Sequence, residues 1–310
     1  MAHTLFTPEQ AAASVLAALR YLTNLPRTVR MDFSDEFVAG RGQTVNVRGP
    51  VSAGDAKVYT KTKRDNRDDI EFNELTQTWT PVKLDDQVYN AVRLPDNWAT
   101  FTLESLEKEV LLPQAESVVD ALPVPLLGEM KKIKAPPATG TGADVAYNAP
   151  TALRFKADGS NALDVIARLR RTLNSRKVPT QTRTLAVGPA VAEILLGLEN
   201  LTRVSEAGTA ETLREATLGR LYGFTIVEDF ALPEDFAIGY HRDAFAFVTR
   251  ASRVPEGAAK GTTISQDGFT LRHIMHYNPI KLEDQSIVDT FFGAATLDAK
   301  RAAAAGIATD

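Results

Sequence analysis

Between Trp98 and Leu122 the chain reads WATFTLESLEKEVLLPQAESVVDAL. Its apolar residues Leu103, Leu106, Val110, Leu111, Val118, Val119 and Leu122 recur at spacings of three, four and seven or eight. That spacing draws one apolar stripe along an α-helix. Thr102 is placed to cap it, with Phe101 and Leu106 at the two positions of a hydrophobic staple. Glu104, Glu107 and Glu109 crowd the first turns, where the helix dipole favours negative charge. Some twenty residues at about 1.5 Å each make a rod of about 30 Å, as long as a small domain is wide. Pro113 removes one backbone hydrogen bond and predicts a kink near Glu109. Leu106 and Val110 are expected on the buried face and Glu107 on the exposed one.

The flanks constrain what this rod can join. Before it, Val45 and Val47 alternate with polar residues ahead of Gly49-Pro50. After a break, Val82 and Leu84 alternate again, and Val88 to Leu94 is rich in β-formers. Between these strand-like segments, residues 55 to 71 carry five acids and five bases with few apolar anchors. Such a balanced run reads as a solvated excursion, because a nucleic-acid patch would not be half neutralised. Two β segments around a charged tip make a long hairpin that leads into the rod. Upstream, Thr7, Pro8 and Gln10 open a short helix with Val15, Leu16, Leu19 and Leu22 on its apolar face, and Pro26 stops it.

Beyond the rod, Pro123, Pro125, Pro136, Pro137 and Pro150 and the run Thr139 to Gly142 mark a domain boundary or long connection. The texture then becomes α/β. A helix is expected over NALDVIARLRRTLNSRKV, with Asn161 as N-cap and Leu163, Ile166, Leu169 and Leu173 on one side. A buried strand follows at RTLAVG, then a helix from Pro189 to Leu196. After a further helix, Gly219 to Gly223 read as a tight turn before a strand at Phe224 to Glu228. At least one of Gly219 and Gly223 is expected to hold a backbone conformation, or a close packing, that a side chain would disturb. FAIGYHRDAFAFVTRA continues with a strand and a turn, GFTLRHIMHYNPIKLEDQSIVDTFFGAATLD holds two or three strands, and the tail AKRAAAAGIATD is expected to fray.

Composition narrows the function. The 44% hydrophobic and 24% charged residues describe a globular chain. A net charge of −4 argues against a dedicated nucleic-acid binder. With no cysteine there is no disulfide framework, thiolate metal site or thiol nucleophile. No apolar run reaches the length of a membrane span, and the N-terminus lacks a secretory pattern. Gly140-Thr141-Gly142 has no strand before it, and GAAKGTT at 257 to 263 lacks the spacing of a phosphate loop and reads as a flexible connector. His273 and His276, three apart in a strand-like segment, point to opposite faces and cannot share a metal; His3 and His241 stand alone. No catalytic, cofactor-binding or metal-ligating residue is therefore assigned. Arg168, Arg170, Arg171, Arg176 and Lys177 make one helix basic: a solvated face, or one that meets an acidic partner or enclosed nucleic acid.

In this order, the phrases DEFVAGRGQTVNVRGP, LTQTWTPVKLDD, LGRLYGFTIVEDFALP and QSIVDTFFGAATLD resemble the tailed-bacteriophage major capsid proteins of the Hong Kong 97 type over nearly the whole chain. The resemblance implies an α+β fold in five parts. These are an N-terminal arm (1–35), an extended β-hairpin or E-loop (36–96), a spine helix and connection in a peripheral domain (97–150), a compact α/β axial domain (151–248), and a return to the peripheral domain with the tail (249–310). It implies a non-enzymatic shell protein without cofactors, forming hexamers and pentamers. Its partners would be a separate scaffolding protein, a portal and enclosed double-stranded DNA bound without sequence preference, with no membrane. Its site would be the virion, after synthesis in the host cytoplasm. Inter-subunit contact is then expected at the hairpin tip, through Asp55, Lys57, Lys61, Lys63, Arg64, Arg67, Asp68 and Asp69, while Leu106, Val110, Gly219 and Gly223 are structural. The same fold would serve an encapsulin-like compartment. A third reading, from another class, is a soluble α/β enzyme holding a phosphorylated ligand between the basic helix and the Gly219–Gly223 turn.

Overall fold

Alternating β-branched residues on either side of the charged run set the first element. β1 (Thr44–Ser52) and β2 (Thr76–Lys83) pair antiparallel, Val45 opposite Val82 and Val47 opposite Thr80. The register shifts between Arg48 and Val51, where Gly49-Pro50 cannot keep the ladder because proline has no amide hydrogen to donate. The structure is a computed structural model and describes residues 25–31, 44–97, 107–139, 142–198, 217–258, 260–266 and 269–308. The expected helix from Thr7, the helix expected ahead of the Gly219 turn, Gly140-Thr141 and His3 lie outside these residues.

From the ribbon the chain enters β3 (Asp86–Pro95), which pairs antiparallel with the long β12 (Glu283–Thr296). β11 (Phe269–Asn278) pairs with the first half of β12 and β9 (Phe245–Arg250) with the second, while β10 (Lys260–Gln266) pairs with β11. This is one five-stranded sheet. The 257 to 263 stretch, expected as a flexible connector, thus runs into a strand: Gly261 and Thr263 lie opposite Ile274 and Arg272, whose ladder recruits it.

The second sheet has six strands in the order β4, β13, β8, β5, β7, β6. They are β4 (Arg154–Phe155), β5 (Arg183–Val187), β6 (Thr217–Leu221), β7 (Phe224–Glu228), β8 (Phe236–His241) and β13 (Ala302–Ile307). β5 and β8 are buried along their whole length, as strands covered on both faces are. On one face Leu185, Val187, Ala303 and Ala305 meet the helices Ala162–Ser175 and Pro189–Leu196. On the other, Ala186, Ile238, Ala302 and Ala304 meet the spine. The alanine-rich tail, expected to fray, is therefore a buried strand. Its period of two assigns alternate alanines to opposite cores, and a methyl group is small enough to sit beneath a helix on each side. On the basic helix the buried face is Ala162, Val165, Ile166, Leu169 and Leu173; Leu163 is only half-buried. Asn161 stands at its N-cap without capping, its side chain joining the backbone of Lys156 and Arg154 instead.

The described part of the spine opens on a π turn, Glu107–Leu111, just before the α-helix Leu112–Ala121. The wider turn sits where Pro113 withholds its amide, so the irregularity falls at the expected kink. Val110 is buried; Leu106, Thr102 and the side chain of Glu107 lie outside what is described. The helix does not end at Leu122: it resumes as Pro123–Met130. Pro123 and Pro125 fall in a first turn, where a missing amide costs nothing. The stretch Glu109–Met130 is 22 residues long with a hydropathy of 1.3, enough by composition to cross a bilayer, but half of it is buried in the protein. Val118, Val119, Leu122, Leu126 and Met130 pack with residues of both sheets in one core cluster.

Residues 25–31 are a wedge in that cluster. Leu25 and Val29 are buried, and the Leu25 amide donates to Asp229 Oδ2 at 3.0 Å. Thr28 meets the Tyr240 hydroxyl, and Arg30 exchanges backbone bonds with Phe245 and Phe247. Burial pushes the Asp229 carboxyl and the Tyr240 phenol up from their usual ranges.

Polar bonds fasten the spine to the five-stranded sheet. Gln114, 1% exposed, donates to the Ser286 carbonyl at 3.0 Å and accepts from Ser286 Oγ at 2.8 Å. His273 Nε2 lies 3.1 Å from the same hydroxyl, while His276 is exposed on the other side. Burial lowers the pKa of His273, and chiefly burial lowers that of His241. A histidine with a depressed folded pKa contributes stability above its unfolded pKa, which is lost as pH falls towards the folded value. Acidification from about pH 7 to about pH 5 is therefore expected to lower the melting temperature. His273→Gln, which can keep a bond to Ser286, should lose less over the same interval. An equal loss in both proteins would remove His273 from the account.

The β6–β7 hairpin tests the glycine reading. Tyr222 and Gly223 have φ of 48° and 83°, two left-handed residues between paired Leu221 and Phe224, which is the geometry of a type I′ turn. Gly219, φ 89°, sits at the register shift of β6. No atom lies within 4 Å of a Cβ built on either glycine. The constraint is backbone conformation, not packing. Gly223→Val should cost about 1–3 kcal/mol in urea unfolding and Gly223→Asn much less. Equal costs would contradict it.

Candidate assembly surface

A two-stranded ribbon is marginal alone, so its position depends on its base. Val47, Val82 and Leu84 are buried against Ala246, Val248, Ala295 and Leu297 of the five-stranded sheet. Gly293 of β12 permits this approach, since a Cβ there would lie 2.2 Å from the Lys83 carbonyl oxygen.

Away from its base the extension is exposed throughout residues 53–75. The tip still has local order. Thr60 caps a single helical turn, Lys61–Asp65, and Tyr59 Oη donates to the carbonyls of Lys63 and Asp68 at 3.1 and 2.7 Å. Lys57 donates to Glu71 at 2.8 Å, and Lys63 lies 4.0 Å from the same carboxylate. That hydrogen bond first, then the charges of Lys57 and Lys63, hold the Glu71 carboxyl below its usual range. Asn73 Nδ2 donates to the Asp55 carbonyl, and Lys177 reaches the Asp55 carboxylate at 3.2 Å, a pair so exposed that it contributes little. Lys61, Arg64, Arg67, Asp68 and Asp69 are all exposed, Arg67 with φ 57°.

The same segment holds apolar side chains that the charge pattern hid. Phe72 is 90% exposed, Leu75 73% and Ile70 67%, with Val58 and Trp79 also open. An exposed run of large apolar residues marks a contact surface. The signal was present in IEFNEL, where three apolar residues punctuate the charged run. Two further exposed groups stand at turns: Ile280 and Leu282 between β11 and β12, and Tyr222 and Phe230 beside β7.

The basic helix lies elsewhere. It packs on β13, beside the β4 edge, whereas the Gly219–Gly223 turn is at the opposite, β6 edge of the sheet. The ligand site that the enzyme reading needs is not assembled. Among the described residues no group of three or more His, Asp or Glu is placed to hold a metal. His241, which the sequence left alone, stands 3.1 Å from Thr182 and 3.7 Å from Asp243.

A spine helix between two sheets, with a ribbon projecting from the five-stranded one, is the Hong Kong 97-type capsid fold, of class α+β. Three solved structures that share it are from Mycobacterium phage Che8 (TM-score 0.58, 19% identity, 89% of this chain and 88% of that one), the mature capsid of bacteriophage PhiM1 (0.57, 11%, 87% and 84%) and a virus-like particle from Pyrococcus furiosus (0.51, 10%, 96% and 98%). No family model matches the sequence, and no curated protein does.

Proposed function

We propose that this protein is the major capsid protein of a tailed phage, assembling from hexamers and pentamers into an icosahedral shell around double-stranded DNA. The observation that carries the reading is the extension: a ribbon anchored at its base, whose open end exposes Phe72, Leu75 and Ile70 with nothing among the described residues to cover them. A repeated heterologous contact, each tip on the next subunit, covers such residues and closes a shell. The likeness to the PhiM1 capsid supports this and supports a structural, non-enzymatic role. A separate scaffolding protein, a portal and a place in the virion belong to the same reading.

The compartment reading has the weaker support, because the Che8 and PhiM1 structures, which superimpose best of the three, come from phages. Sedimentation of the purified protein tests assembly: a shell protein forms megadalton particles, and a small discrete oligomer under all conditions would oppose the proposal.

A further inference from the structure

The basic helix Ala162–Ser175 faces Pro136, Pro137, Gly142 and Asp144 across a concave cavity of about 300 Å³. Arg168, Arg171 and Arg176 line it, with one carboxylate, Asp144. Arg176 is bound to Asp144 and to the carbonyls of Ala302 and Lys300. Arg168 donates to the Ala138 carbonyl, a neutral partner. Arg171 has no partner among the described residues, and neither does Arg170 beside it. Thr172 and Ser175, also in the wall, donate their hydroxyl protons back to the helix carbonyls of Arg168 and Thr172. Three guanidinium groups therefore share one carboxylate at a concave surface, in a chain whose net charge is −4.

We propose that this cleft is a phosphate site that takes single phosphate groups of a nucleic-acid backbone. Guanidinium forks match phosphate oxygens two at a time, and two arginines i and i+3 on one helix face present neighbouring forks. The cavity admits a phosphate with part of its sugar but not a duplex, so the backbone is held and the bases go unread. The choice of DNA as the source rests on the shell reading; the phosphate chemistry does not. One such site per subunit, repeated over a shell, holds packed DNA weakly at many points, which suits a container that must release it.

The experiment uses unassembled full-length protein and a fluorescently labelled duplex of about twenty base pairs, read by anisotropy across a salt series. Arg171→Gln removes a side chain that holds nothing among the described residues, so the fold should stand, and an unchanged melting curve verifies that. It is expected to reduce the slope of log affinity against log salt by about 1, and Arg168→Gln/Arg171→Gln by about 2. Lys260→Gln/Lys281→Gln, on the other sheet, should leave the slope near that of the wild type. Inorganic phosphate at millimolar concentration should compete in the wild type only.

Three results would overturn the site: equal slope losses from the control pair, no binding of either duplex or phosphate, or polyglutamate displacing the duplex at lower charge concentration than phosphate does. Phosphate binding without duplex binding would leave a free-anion site and refute the nucleic-acid assignment. Particle formation is scored separately, so a shell that fails to form counts against the proposed function while the slopes still judge the cleft.

Discussion

Replacing Asp55 to Asp69 by a short Gly-Ser turn is expected to leave a soluble, cooperatively melting subunit that no longer forms closed shells. The segment is exposed throughout, and its hydrogen bonds and ion pairs are almost all internal to the extension. Its link to the six-stranded sheet's side among the described residues, Lys177 to Asp55, is an open surface pair. Folding should therefore hardly register the loss, because few buried contacts depend on it. Assembly should register it fully, since the replacement removes Val58 and Tyr59 and the one-turn helix, and withdraws the support that displays Ile70 and Phe72. Light scattering and negative-stain images beside the wild type read both halves. Normal particles would make the segment an ordinary loop, and failure to fold would place it in the core.

The second large effect belongs to the spine. Leu122 is wholly buried where the helix meets residues of both sheets and the 25–31 wedge. Leu122→Ala should cost about 2–5 kcal/mol in chemical denaturation, the range for a packed leucine. Glu116→Ala, on the exposed face of the same helix, should be nearly neutral. Comparable losses would mean that the stripe was assigned to the wrong face.

Much of this was legible in the sequence wherever periodicity met a matching environment. Val47, Val82 and Leu84 fall in alternating segments because one face of the ribbon's base is buried. RTLAV reads as continuous apolar chain because β5 is covered on both sides. What periodicity could not show was where a weak local signal is overridden by its surroundings. Ala302 to Ala305 carry no strand propensity, and only the space between two helical layers makes them a strand. Pro123 looks like a stop because proline ends helices, yet at the first turn it restarts one. Residues 25–31 look like the end of an arm, since nothing in LPRTVRM announces bonds to Asp229 and Phe245, two hundred residues away. Charge marks the tip in the sequence but not the side chains best suited to binding there, because Phe72 and Leu75 are isolated apolar residues in a polar run and have no period.

On the shell reading, the exposed extension is a contact between subunits of a closed particle. A three-dimensional electron-microscopic reconstruction of the assembled wild-type protein tests it most directly. The account predicts icosahedral particles in which Ile70, Phe72 and Leu75 of each subunit are covered by a neighbour. Particles whose tips stand free in solvent, or a preparation holding only small oligomers, would contradict it.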